Sequence, residues 1–102
     1  MIHVIASIEL KPDCREDFLV ILKNNVPKVK AEQGCVAYEP LLDVDCGLQI
    51  QQAVRENVVT IVEAWESLDH LNAHLKTPHM RSYRDAVADY VEKVTLQLMA
   101  PA

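Results

Sequence analysis

The side chains with the most chemistry to offer crowd into one stretch: Glu63-Ala64-Trp65-Glu66-Ser67, followed by His70, His74, Thr77, His79 and Tyr83. An imidazole ionises in the range suited to taking a proton near neutral pH, which makes the histidines candidate general bases. His74 and His79 flank a helix break at Leu75 to Pro78, where a loop is able to bring two imidazoles over the mouth of a pocket. The residues alone leave open which of the two is the base, and equally whether they are only exposed or capping histidines. Glu63 stands between Ile61 and Trp65 on one face of an alternating run, and a carboxylate on an apolar face is costly unless paired or functional. A salt bridge to a helix Lys or Arg, a rim position and catalysis all explain it. Trp65 reads first as core, with its indole N–H as a handle for orienting a partner. His70 and His74, four apart, share a helix face of the kind that holds a metal, yet they lack the Glu of a zincin motif and a third ligand. No metal site is expected.

The rest of the composition narrows the chemistry further. Two glycines, Gly34 and Gly47, are too few for a dinucleotide loop or a P-loop. Ten basic against fifteen acidic residues, net −5 with no basic run, give no footprint for nucleic acid or an anionic membrane. No apolar stretch approaches the ~18 residues of a spanning helix, and Met1 runs straight into an alternating strand without a basic leader, so a cytoplasmic protein is expected. Cys14, Cys35 and Cys46 are odd in number and lack Cys-x-x-Cys spacing, which suits reduced thiols, with Cys35 and Cys46 inert. There is no Gly-x-Ser-x-Gly nucleophile motif.

The elements that must position the cluster follow from periodicity, read as one domain over residues 1–102. Ile2, Val4, Ala6, Ile8 and Leu10 alternate as a strand that stops at Pro12. Asp13 and Glu16 are spaced as a capping-box pair for a helix running to about Gln33, with Phe18, Leu22, Val26 and Val29 on one face. Pro27 predicts a kink or break near Asn24 and Asn25, and Gly34 a stop. A strand at Cys35 to Leu42, an acidic stretch from Asp43 to Gly47 and a short extended piece near Leu48 to Val54 precede the clearest strand, Val58 to Glu66. Ser67 caps a short helix whose buried stripe is Leu68, Leu71 and Leu75. Thr77-Pro78 then restarts a helix with Met80, Tyr83, Val87 and Tyr90 inward. Val94, Leu96 and Leu98 alternate in a closing strand. The order β-α-β-β-α-β predicts an α+β, ferredoxin-like split βαβ sheet with helices on one face. Its open face, apolar on Val58 to Glu66, predicts a homodimer packed through the sheets.

The same residues resemble a known family. Glu32-x-Gly34-Cys35, Tyr38, Glu63-x-Trp65-Glu66-Ser67, Leu71-x-x-His74 and Thr77-Pro78-His79-Met80-x-x-Tyr83 are similar to the antibiotic biosynthesis monooxygenases, and within them to the quinol monooxygenases. The resemblance covers nearly the whole chain. It implies a dimeric α+β barrel that oxidises an electron-rich aromatic substrate with O2 and no cofactor, neither metal nor flavin. On that pattern His74 or His79 takes the hydroxyl proton, Glu63 orients an imidazole, Trp65 and Tyr38 line the pocket and Tyr83 hydrogen-bonds a substrate oxygen. Haem-degrading relatives need an Asn on the first strand and a helix His, where this chain offers Ala6 and Ser7, and Arg84. A phosphorylated-dione isomerase of the same fold shares the His…Thr-Pro-His block and would want a phosphate site, for which Arg81 and Arg84 are candidates. A dimer that only binds an aromatic ligand is the non-enzymatic alternative.

Overall fold

The computed structural model describes all of residues 1–102. The chain runs β1 (Ile2–Leu10), α1 (Arg15–Lys30), β2 (Cys35–Leu42), β3 (Val58–Trp65), α2 (Leu68–Leu75), α3 (Pro78–Val87) and β4 (Val91–Met99). The four strands form one sheet in the order β2-β3-β1-β4, every pair antiparallel. This is the α+β, ferredoxin-like split βαβ arrangement, with the second helical segment divided into α2 and α3. No helix is long and apolar enough to cross a membrane.

Alternation places the core. Val4, Ala6 and Ile8 of β1 lie opposite Glu63, Ile61 and Val59 of β3, so these side chains share one face of the sheet. That face is buried beneath the helices, with Phe18, Leu22 and Val29 of α1, Leu71 of α2, and Met80 and Val87 of α3 filling the interior. Tyr38 of β2 stands opposite Glu63 and is buried with it.

Several local expectations are corrected. Asp13 does not cap α1: it takes a left-handed turn at φ 64°, and Cys14 occupies the cap position without a side-chain hydrogen bond. The helix ends at Lys30 rather than Gln33, because Glu32 N–H turns back to Val29 O (3.0 Å) and the chain leaves through Gly34. Pro27 neither breaks nor divides the helix, which runs unbroken from Arg15 to Lys30. An exposed Pro near the C-terminal end removes a single ladder donor, and the turns around it persist. Leu48 to Val54 forms no strand, only a turn in which Gln51 N–H donates to Leu48 O (3.1 Å). β3 closes at Trp65 rather than Glu66. On α2 the buried stripe is Leu71 and His74, with Leu68 exposed.

Gly34 ties this turn to the site. It sits at φ +83°, accepts from Glu66 N–H (2.9 Å), and a Cβ there would run into the His70 ring. Gly34→Ala is expected to cost about 1–3 kcal/mol. The thermal midpoint should fall by about 4–8 °C per kcal/mol. A midpoint equal to wild type in differential scanning calorimetry would contradict this packing.

Helical cover stops short of β4. Val94, Leu96 and Leu98 align with Ile8, Ala6 and Val4, on the helix side, yet remain 54%, 48% and 46% exposed. The interior is therefore open along that edge.

Candidate active site

A cavity of about 140 Å³ lies between the sheet and helices α2 and α3. Tyr38, Glu63, His74, Met80, Tyr83 and Arg84 are on its wall, with Val94 and Leu96 at the open β4 edge. β3 presents Glu63 and Trp65 on the buried face because successive strand residues alternate. α2 begins with Ser67, whose Oγ accepts from His70 N–H (3.2 Å), and its inward side then brings His74 over the strand. Thr77 caps α3 in the same way, accepting from Met80 N–H (3.2 Å) while its hydroxyl donates to His74 O (3.0 Å). The helix break thus pins the His74 carbonyl through both the hydroxyl and the N–H of Thr77.

His74 is 2% exposed and stands in an aromatic setting: its ring centroid is 4.5 Å from that of Trp65 and 5.6 Å from that of Tyr38. Nδ1 lies 2.9 Å from Glu32 Oε2. A carboxylate accepts, so Nδ1 carries the hydrogen, and the neutral ring keeps its lone pair on Nε2. Burial holds the His74 pKa below the ordinary imidazole value, the Glu32 hydrogen bond opposing this in part. His79 Nε2 lies 2.8 Å from the same Glu32 oxygen. His79 is not on the cavity wall; it borders a surface groove of about 210 Å³ between α1 and α3, beside Asn25, Lys28 and Tyr83.

Glu63 is 5% exposed and accepts from Trp65 Nε1–H at 3.0 Å through Oε1. Burial pushes its pKa up, the Trp65 hydrogen bond pulls it down, and the charge of Glu32 adds to the rise. Glu63 makes no hydrogen bond to an imidazole; the carboxylate that holds both rings is Glu32. Periodicity placed Glu32 within the first helix and gave it no role, because its partners are 42 and 47 residues away. Its place two residues before a turn-forming Gly is the one local signal that it leaves the helix. Tyr38 and Tyr83 are both pushed well above the ordinary phenol range, chiefly by burial, so each is a hydrogen-bond donor to whatever enters. His70 engages Ser67 Oγ (2.7 Å) rather than pairing with His74, and no group of three His, Cys, Asp or Glu has the geometry to hold a metal ion.

A buried imidazole hydrogen-bonded to a carboxylate thus faces a tyrosine-walled cavity on a ferredoxin-like sheet. The chain belongs to the antibiotic biosynthesis monooxygenase family: the family model of that description matches residues 1–86. It is 37% identical over 103 residues to "Probable quinol monooxygenase YgiN" of Escherichia coli strain K12, covering 99% of this chain and 98% of that protein. Among solved structures, PA3566 from Pseudomonas aeruginosa aligns with a TM-score of 0.83 at 20% identity, over 99% of this chain and 93% of that one. Rv0793 from Mycobacterium tuberculosis aligns with a TM-score of 0.81 at 24% identity, over 99% and 94%. Both share the fold.

Proposed function

We propose that the protein is a cofactor-independent monooxygenase or oxidase acting on quinols or related electron-rich polycyclic aromatics with O2. The observation that carries this reading is the His74 imidazole, tied through Nδ1 to Glu32 and placed on the wall of the cavity beside Trp65 and Tyr38. The 37% identity to a protein described as a quinol monooxygenase supports the substrate class.

His74 Nε2 takes the proton of a substrate hydroxyl, and Glu32 stabilises the imidazolium that forms. The resulting quinolate is itself reducing enough to pass an electron to O2 held beside it, so the protein supplies a base, an apolar enclosure and orientation. For insertion, the two radicals combine in a C–O bond, His74 returns its proton to the distal oxygen, and loss of the ring C–H proton with cleavage of the O–O bond expels water. For peroxide release, the semiquinone instead passes its second electron and its remaining hydroxyl proton to superoxide, which also takes the proton back from His74. If one oxygen atom is inserted, the products are a hydroxyquinone and water; if none is, they are a quinone and hydrogen peroxide. Tyr83 and Tyr38, held protonated, donate to substrate oxygens, and Trp65 orders the cavity through its ring and its bond to Glu63.

A phosphorylated dione fits the site less well. Arg84 is the one cation on the cavity wall, and its guanidinium donates to Leu75 O (2.9 Å). A second copy packed through the sheet faces, giving a homodimer, accounts for the apolar outer side of β3. The free thiols of Cys14, Cys35 and Cys46 suit a reducing cytoplasm.

The test is oxygen uptake with a reduced naphthoquinol followed across pH. His74 acts as base only when neutral and burial lowers its pKa, so kcat/KM should rise with pH through a midpoint below 6.5 and hold above it. The stability tied to the same group is present above pH 6.5 and lost as pH falls through the lowered value, because the unfolded chain then binds the extra proton. An acid limb centred above 6.5 would argue against His74 as the base.

A further inference from the structure

We propose that His79 acts through Glu32 rather than on substrate, as a solvent-side positioning residue whose protonation sets how firmly the carboxylate holds the His74 imidazole. This rests on His74 being the base. Both imidazoles meet one atom, Glu32 Oε2, at 2.9 Å from His74 and 2.8 Å from His79. The side chains grade from interior to surface, 2% exposed for His74, 11% for Glu32 and 22% for His79. Only His74 reaches the cavity, while His79 opens onto the groove between α1 and α3.

A proton on His79 puts a positive charge beside the oxygen that His74 needs when it becomes imidazolium. In a site this far removed from bulk water, charges in contact interact more strongly than at an open surface. The negative charge of Glu32 is then divided between two cations, and His74 becomes the weaker base. A neutral His79 leaves Glu32 free to support His74. The other titratable groups around His74 are Tyr38 from β2, Glu63 from β3, and Tyr83 and Arg84 from α3; those around His79 are Lys28 from α1 and again Tyr83, which borders both cavity and groove but is hydrogen-bonded to neither ring. None of these bridges the two rings as Glu32 does, which makes the carboxylate the connecting element.

Two conservative variants separate this from a structural role. His79→Gln keeps an N–H for Glu32 and removes the charge; Glu32→Gln keeps the shape and removes the carboxylate. Proton affinity of His74 is read in substrate-free protein by NMR titration of its imidazole, and in turnover from the acid limb of kcat/KM. His79→Gln should raise that affinity about three- to tenfold, moving the acid limb to higher pH, with plateau kcat falling by less than about tenfold and KM held. Glu32→Gln should move the His74 titration the opposite way. Opposite displacements support the coupling. Identical His74 titrations in wild type and both variants overturn it, as does a plateau kcat lowered about 100-fold in His79→Gln, which would make His79 itself the base. The NMR titration needs no turnover, so a wild type that consumes no oxygen would sink the quinol reading and still leave the coupling measurable.

Discussion

His74→Gln is expected to lower enzyme-dependent oxygen uptake with a reduced naphthoquinol by at least about 100-fold, the usual contribution of a positioned general base. Gln is chosen because His74 is 2% exposed and packs on Trp65, so Ala would leave a hole in the core. An amide retains much of the volume and a hydrogen bond for Glu32 but cannot carry a proton at neutral pH. The far-UV circular dichroism spectrum should match wild type. KM should change little if the ring serves deprotonation rather than binding. Uptake within a few-fold of wild type would remove His74 from the reaction.

The second large effect is on stability and has a pH signature. Trp65→Phe removes the indole N–H that donates to Glu63 Oε1 at 3.0 Å, leaving a buried carboxylate without that partner, at a cost of about 1–3 kcal/mol. The Trp65 hydrogen bond lowers the Glu63 pKa against the rise that burial imposes, so its loss raises that pKa further. An acid whose pKa is raised on folding weakens the folded state as pH climbs above its unfolded value, here about 4.5. The deficit of Trp65→Phe should therefore fall to the packing loss alone below pH 4.5 and grow towards neutrality. Adding Glu63→Gln should abolish the growth while leaving the packing loss of the smaller ring. A deficit independent of pH in calorimetric melts would show that Glu63 does not depend on the indole.

Elements whose periodicity reports burial on one face were legible in the sequence. β1 alternates because the helices cover one side, β3 is legible from its run of β-branched residues although both of its faces are apolar, and the boundaries of both match the pattern to within a residue. The stretch from Leu48 to Val54 carries similar apolar spacing and yet forms no strand. Both central strands already have two neighbours, and this segment pairs with neither sheet edge, leaving Leu48 65% and Ile50 94% exposed. Alternation records which side chains avoid water, not whether a partner is at hand.

The site was legible in its types and not in its wiring. Tyr38, Glu63, His74 and Tyr83 do meet on one cavity wall, because β2, β3, α2 and α3 converge there. Trp65 lies behind His74, and His79 is on the far side of the wall. Glu63 looked like the group to orient an imidazole because it is the carboxylate nearest Trp65 in the chain. Glu32 holds that role through contacts spanning more than a third of the sequence, which no local period encodes. The same contact explains how His74, a polar residue, is buried beside Leu71 while Leu75 is only partly covered.

The most direct test of cofactor-free quinol oxidation is oxygen uptake by chelator-treated, flavin-free protein mixed with a reduced naphthoquinol, corrected for spontaneous autoxidation. Uptake proportional to protein, undiminished by chelator and absent in His74→Gln, is the expected result. Uptake no faster than autoxidation, or restored only by added metal or flavin, would contradict it.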